Sequence, residues 1–201
     1  MAWYSALLLL CATVGHLAVL RAYDAHERQY DNPVVHLPPL PDSIPRLLAS
    51  VDLVVLGQVV GTSDPRVEEY VLDGMKRHTV LRYHRVRVLE VLKSDAGAHS
   101  PQREHITFRQ PGGTVDSGGR KVVTTPLEPI LRAGNTAILF LNRVPTEPNI
   151  YFSPYGPAGI LAVQPDQMVE VPGQMQKMPE LLHRERIALE QVLALIRGAG
   201  L

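Results

Sequence analysis

His78, His84 and His105 are the side chains of this chain with the most chemical potential. All three lie on or beside two segments that read as central strands. Two or three imidazoles converging there, with Glu90 or Glu104 as a carboxylate ligand, would suit zinc or copper. Alternation opposes that convergence. His84 shares a face with Val86, whereas His105 alternates against Ile106 and Phe108, so the two rings are expected on opposite sides of a sheet. Surface histidines are the simpler reading, and no catalytic, cofactor-binding or metal-ligating residue is assigned. A metal-dependent enzyme using the strand histidines stays open as an alternative. His26 and His183 have no partner at ligand spacing.

Other chemistries find little support. The chain of 201 residues has one cysteine, Cys11, so disulfides within the domain, Cys₂His₂ zinc and thiol nucleophiles are excluded. G-x-S-x-G, S-x-x-K, G-x-x-x-x-G-K, G-x-G-x-x-G and H-E-x-x-H are absent, and no calcium loop of alternating carboxylates occurs. Ser117, between Asp116 and Gly118, reads as a turn residue. Glu68 and Glu69 are adjacent on a polar segment and, if extended, face opposite ways, which does not suit paired-carboxylate hydrolysis. Gly112-Gly113 and Gly118-Gly119 read as turns rather than as an anion cradle. Twenty basic and twenty acidic residues balance, which argues against nucleic acid as a partner held by net charge. Arg85 and Arg87 alternate with valine as a solvated outer face would.

The element that must position any site is the run at residues 79–93. It is β-branched, free of Gly and Pro, and closed by turn chemistry at Ser94-Asp95-Ala96-Gly97, so a long strand is expected. Its apolar parity changes between Val88 and Leu89, as a β-bulge would produce, and long bulged strands turn the corners of small barrels. Residues 51–61 read as a strand buried on both faces at its start, with Gly57 at a bend or a close backbone approach. Further strands are expected at 67–72, 104–110, 120–125, 135–141, 150–153, 159–164 and 168–171. Residues 135–141 are apolar enough to be buried on both faces. At 179–197 the apolar period becomes three to four, through Leu182, Leu189, Val192, Leu193 and Ile196, which predicts a terminal amphipathic helix.

The amino terminus carries no charge before Arg21 and contains Leu7-Leu8-Leu9-Leu10. Residues 1–22 therefore read as a cleaved export signal or a retained membrane anchor helix, with membrane contact only through residues 1–20 if uncleaved. Residues 23–41 form a proline-rich linker, 42–173 the β-barrel domain and 174–201 the terminal helix segment. Ser43 and Pro45 mark a short helix at the start of the domain, with Leu47 and Leu48 facing inward.

The order of elements carries a resemblance. Asp52-Leu53-Val54-Val55-Leu56-Gly57-Gln58-Val59, then Val88-Leu89-Glu90-Val91-Leu92-Lys93-Ser94, then His105-Ile106-Thr107-Phe108 and Gly134-Asn135-Thr136-Ala137-Ile138-Leu139-Phe140 resemble the OB-type barrel of netrin-like and metalloprotease-inhibitor (TIMP-like) domains. That resemblance covers residues 50–144. It implies a mainly β fold, a small Greek-key barrel between an amino-terminal signal or anchor helix and a carboxy-terminal amphipathic helix. The inhibitors' cysteines are missing, including the amino-terminal one that engages a catalytic zinc, so no binding residue carries over. The expected function is a non-enzymatic, exported or membrane-tethered module that binds a protein or cell-envelope component. A structural envelope protein that self-associates through residues 179–197 is a further alternative.

Overall fold

The structure, a computed structural model, describes residues 37–72, 74–95, 104–117, 120–124 and 129–199. The expected signal or anchor helix and the first part of the linker lie outside the described residues. All described residues belong to the unit Asp31–Leu201. No helix among them is long and apolar enough to cross a membrane.

The protein is mainly β. Among the described residues eleven strands follow in order: β1 (Leu53–Thr62), β2 (Arg66–Leu72), β3 (Met75–Ser94), β4 (His105–Pro111), β5 (Gly113–Ser117), β6 (Arg120–Thr124), β7 (Thr136–Val144), β8 (Glu147–Phe152), β9 (Ile160–Val163), β10 (Met168–Glu170) and β11 (Arg186–Ala188). Helix α1 (Ile44–Ala49) precedes them and α2 (Leu189–Ala199) follows. The hydrogen-bonded neighbours run β1-β3-β4-β8-β7, and β7 pairs back onto β1, so five strands close into a ring. Every pairing in that ring is antiparallel except β4 with β8. β9, β10 and β11 extend the sheet from β7, β2 adds to β3, and β5–β6 form a separate hairpin.

Two apolar cores share the strands. Inside the ring pack Leu53, Val55 and Val59 of β1, Val86 of β3, Ile106 and Phe108 of β4, Leu139 and Leu141 of β7, and Tyr151 of β8. The opposite faces of β1 and β7 present Val54, Ile138 and Phe140 to a second core made with Ile44, Leu47 and Leu48 of α1 and Leu189, Val192, Leu193 and Ile196 of α2. β1 and β7 are apolar on both parities because each separates these two interiors. Where the helical cover ends along β1, alternation returns, with Gln58 half-buried and Val60 exposed.

β3 spans twenty residues, longer at both ends than the sequence run. Its pairing with β1 skips Leu89 and Leu92 on β3 and Val60 on β1. The bulge expected beside Val88 is therefore present. Beyond it the parity does change, since Val91 pairs with the ring-facing Val55, but Leu89 and Val91 remain 48% and 37% exposed while Leu92 packs against the outer core.

Gly57 sits opposite Val88 beside the second skip. A Cβ built there would lie 2.5 Å from Val86 Cγ1 and 3.3 Å from the Arg87 carbonyl oxygen, so the close approach read from the sequence is real. Gly57→Ala is expected to destabilise the protein by about 1–3 kcal/mol through overpacking of the ring interior. Urea denaturation would measure it, and a loss under about 0.5 kcal/mol would mean that β3 yields freely at this point.

The carboxy-terminal segment departs from expectation. The α-helix begins at Leu189, not at 179; short 3-10 turns occupy Met175–Lys177 and Pro179–Leu181, and β11 precedes the helix. β11 pairs with β10 in register Val169↔Ile187, and the Val171 amide donates to the Glu185 carbonyl. Completing that sheet edge satisfies backbone groups that helical periodicity alone would have placed in a helix. Leu182, counted on the apolar helix face, is exposed. β5 has no counterpart among the strands expected from the sequence, because its partner β6 supplies the reason for it to be extended.

Candidate functional site

The ring leaves one broad concavity at the end where β4 and β8 finish. Met75 to Leu81 of β3 continues beyond the pairing with β4, which begins at Leu81↔Pro111, and carries β2 with it as a hairpin. Between this hairpin and the ends of β4 and β8 lies a groove of about 720 Å³, within the usual range for ligand sites. One wall is β2 and β3, with Glu68, Glu69, Tyr70, Thr79 and Leu81; the other is Phe108 to Pro111 with Phe152, and the turn from Ser153 to Pro157 closes one side. Leu37 and Pro38 reach the rim from the amino-terminal segment. Most of the lining is apolar, so the few charged groups decide orientation.

Those charges are organised. Tyr83 donates its hydroxyl proton to Glu68 Oε1, Arg66 Nε lies 3.3 Å from the same oxygen, and the Arg66 guanidinium sits 4.1 Å from the centre of the Tyr83 ring. Partial burial, with the Glu68 bond added, raises the Tyr83 pKa above its ordinary value. Lys76 binds Glu69 at 2.9 Å across the hairpin. On the far wall Arg109 lies 5.5 Å over the Phe152 ring. At the hairpin end Val71 and Met75 are exposed at 66% and 53%. β2 pairs with β3 and with no other described strand, so one row of its backbone groups has no strand partner.

His84 and His105 lie on the faces alternation required, but the surface reading fails for His84. His84 is fully buried inside the ring, its Nδ1 3.0 Å from Thr62 Oγ1 and its ring stacked on Phe108 with centroids 5.8 Å apart. Nε2 is buried without a hydrogen-bond partner of good geometry; the neighbouring Gln110 side chain bonds the Pro129 carbonyl at 2.7 Å and the Leu131 amide at 3.3 Å. Burial lowers the His84 pKa to about 4, Arg82 adds to the lowering, and Gln110 opposes it. His105 pairs with Arg87 on the outer face, and His78 lies 3.8 Å from Glu69 on the hairpin. His84 and His105 thus stand on opposite faces and do not form a shared ligand set. Glu90, one of the two carboxylates considered as ligands, binds Arg197 of α2 at 2.7 Å. Among the described residues no three His, Cys, Asp or Glu side chains are grouped as a metal would need.

The groove itself had no signature in the sequence. Its walls come from residues 37–38, 68–81, 108–111 and 147–160, segments that meet only through the β2–β3 extension and the parallel β4–β8 pair. The chain matches no protein-family model and no curated protein.

Proposed function

We propose that this chain is a non-enzymatic binding module, an exported or membrane-tethered OB-type barrel similar to netrin-like and TIMP-like domains, whose groove holds an extended segment of a partner protein. The five-stranded ring supports the barrel type. The observation that carries the binding role is the groove between β2 and the ends of β4 and β8, walled by a strand with an unpaired edge. An added strand takes its affinity from main-chain hydrogen bonds and its specificity from pockets for alternate side chains. Tyr70, Leu81 and Phe152 supply apolar pockets, while Glu69 and Arg109 stand at opposite walls to set direction. An envelope protein displaying an extended, partly apolar segment fits this chemistry.

The test uses linear peptides selected from a random phage-displayed library against the full chain, with affinities measured by calorimetry. Tyr70→Ala and Phe152→Ala are each expected to weaken a selected peptide by about tenfold, as loss of an aromatic contact at an interface does. Methylating alternate backbone amides of the peptide should abolish binding in one register and spare it in the other. Peptides that bind both variants as well as the parent chain would remove the groove from consideration.

A further inference from the structure

The outer face of β3 and β4 carries a second feature, on the opposite side of these strands from the ring interior. Cross-strand register places Tyr83 beside Arg109, Arg85 beside Thr107 and Arg87 beside His105. Val86, Ile106 and Phe108 point inward between them, so Arg85, Arg87, His105, Thr107 and Arg109 share the solvent side. Arg85 and Arg87 are exposed. Successive outward residues on one strand are about 6.7 Å apart, and facing residues on neighbouring strands about 5 Å. Arg85 and Arg87 therefore stand side by side with Thr107 and His105 across from them, and Arg109 lies at the groove end of the row.

The chain has equal numbers of basic and acidic residues, and several of its cations find carboxylates: Arg46 with Asp42, Lys76 with Glu69, Arg186 with Asp166 and Arg197 with Glu90. Among the described residues Arg85, Arg87 and Arg109 have no carboxylate partner. Arg87 bonds instead to the neutral Gln58 Oε1 at 2.7 Å. Like charges on adjacent strand positions repel, and an external anion relieves that repulsion where the fold supplies none. The bordering rings narrow the choice of anion. Tyr83 is covered by Arg66 and Phe152 by Arg109, so neither offers the open aromatic surface on which bases of a single-stranded nucleic acid would stack. Contact through charge and hydrogen bonding alone is what remains.

We propose that the outer face of β3 and β4 binds a linear anionic polysaccharide, its sulfate or carboxylate groups seated on Arg85 and Arg87 with His105 and Thr107 completing the row. Arginine's planar fork fits such oxyanions with two parallel hydrogen bonds. This surface shares Arg109 with the groove, but the proposal rests on Arg85 and Arg87 and does not depend on peptide binding there.

The probes are dextran sulfate and polygalacturonate, with uncharged dextran as control, applied to the full chain on a biosensor at several salt concentrations. At least one charged polymer should bind, with affinity falling as salt rises, and dextran should not. The double variant R85A/R87A is expected to weaken binding on the order of tenfold with an unchanged thermal midpoint. R132A/R184A removes the same charge from exposed arginines elsewhere and should bind as the parent does. Equal weakening by both double variants would reduce the effect to net charge and overturn the site, as would failure of both charged polymers to bind. Tighter binding of a single-stranded oligonucleotide, or of phosphatidylglycerol vesicles that engage the exposed Val60, Leu89 and Val91 nearby, would overturn the polysaccharide assignment.

Discussion

Phe140→Ala is expected to lower stability by about 3–5 kcal/mol, a large share of the roughly 5–15 kcal/mol that holds a domain folded. Phe140 is fully buried on the outer side of β7, among Ile44, Leu47 and Leu48 of α1 and the apolar stripe of α2. Removing its ring opens a cavity where helix and sheet are already close-packed, and backbone fixed on both sides leaves little room for collapse. Leu139→Ala, one residue away, empties the ring interior instead and should cost about 2–5 kcal/mol. Leu89→Ala, on the exposed bulge, should stay within about 0.5 kcal/mol. Chemical denaturation of the three variants tests the two-core arrangement directly. A Phe140→Ala loss as small as that of Leu89→Ala would mean that the helices do not cover β7 in solution.

Acidification should weaken the fold through His84. Its pKa is about 4 in the folded protein against an ordinary 6.5, so between these values the unfolded chain binds the proton that the folded chain refuses. Stability from this residue is complete above about pH 6.5, declines as pH falls towards 4 and levels off below it. The full loss is about 3 kcal/mol, of which about 2 kcal/mol falls between pH 7 and 5. The physical source is desolvation: the imidazolium would lie inside an apolar ring, stacked on Phe108, with Arg82 close enough to oppose it. Urea midpoints at pH 7, 6 and 5 would show the decline, and His84→Gln should flatten it over the same interval. A parent chain equally stable at pH 7 and 5 would mean that the ring admits water or a counter-ion to His84.

Local pattern carried much of the element structure. The doubly apolar runs at 51–56 and 135–141 could be recognised as strands between two interiors, because no solvent-facing parity survives in them. Strict alternation from His105 to Gln110 identified which side of β4 is buried, and the same parity argument separated His84 from His105. The helix start was misplaced because residues 185–188 pair their backbone with β10 and Val171, partners far enough along the chain that periodicity cannot register them. The groove and the arginine row were invisible for a related reason. Each assembles residues whose meeting depends on register between distant strands, and on where one strand outruns its neighbour.

Composition, parity and turn residues by themselves determined that this is a mainly β chain without disulfide support in its domain, with a long bulged strand through 79–93, a short helix before the β region and an amphipathic helix after it. The tertiary structure alone decided that β7 returns to β1 to close the ring, that the β2–β3 hairpin projects to form a groove, and that Arg85 and Arg87 stand beside His105 and Thr107. Side-chain direction along a strand is a local property with a period of two, whereas strand order and register are settled by competition among long-range pairings. A single bulge changes which residues meet across strands while leaving the linear pattern almost untouched.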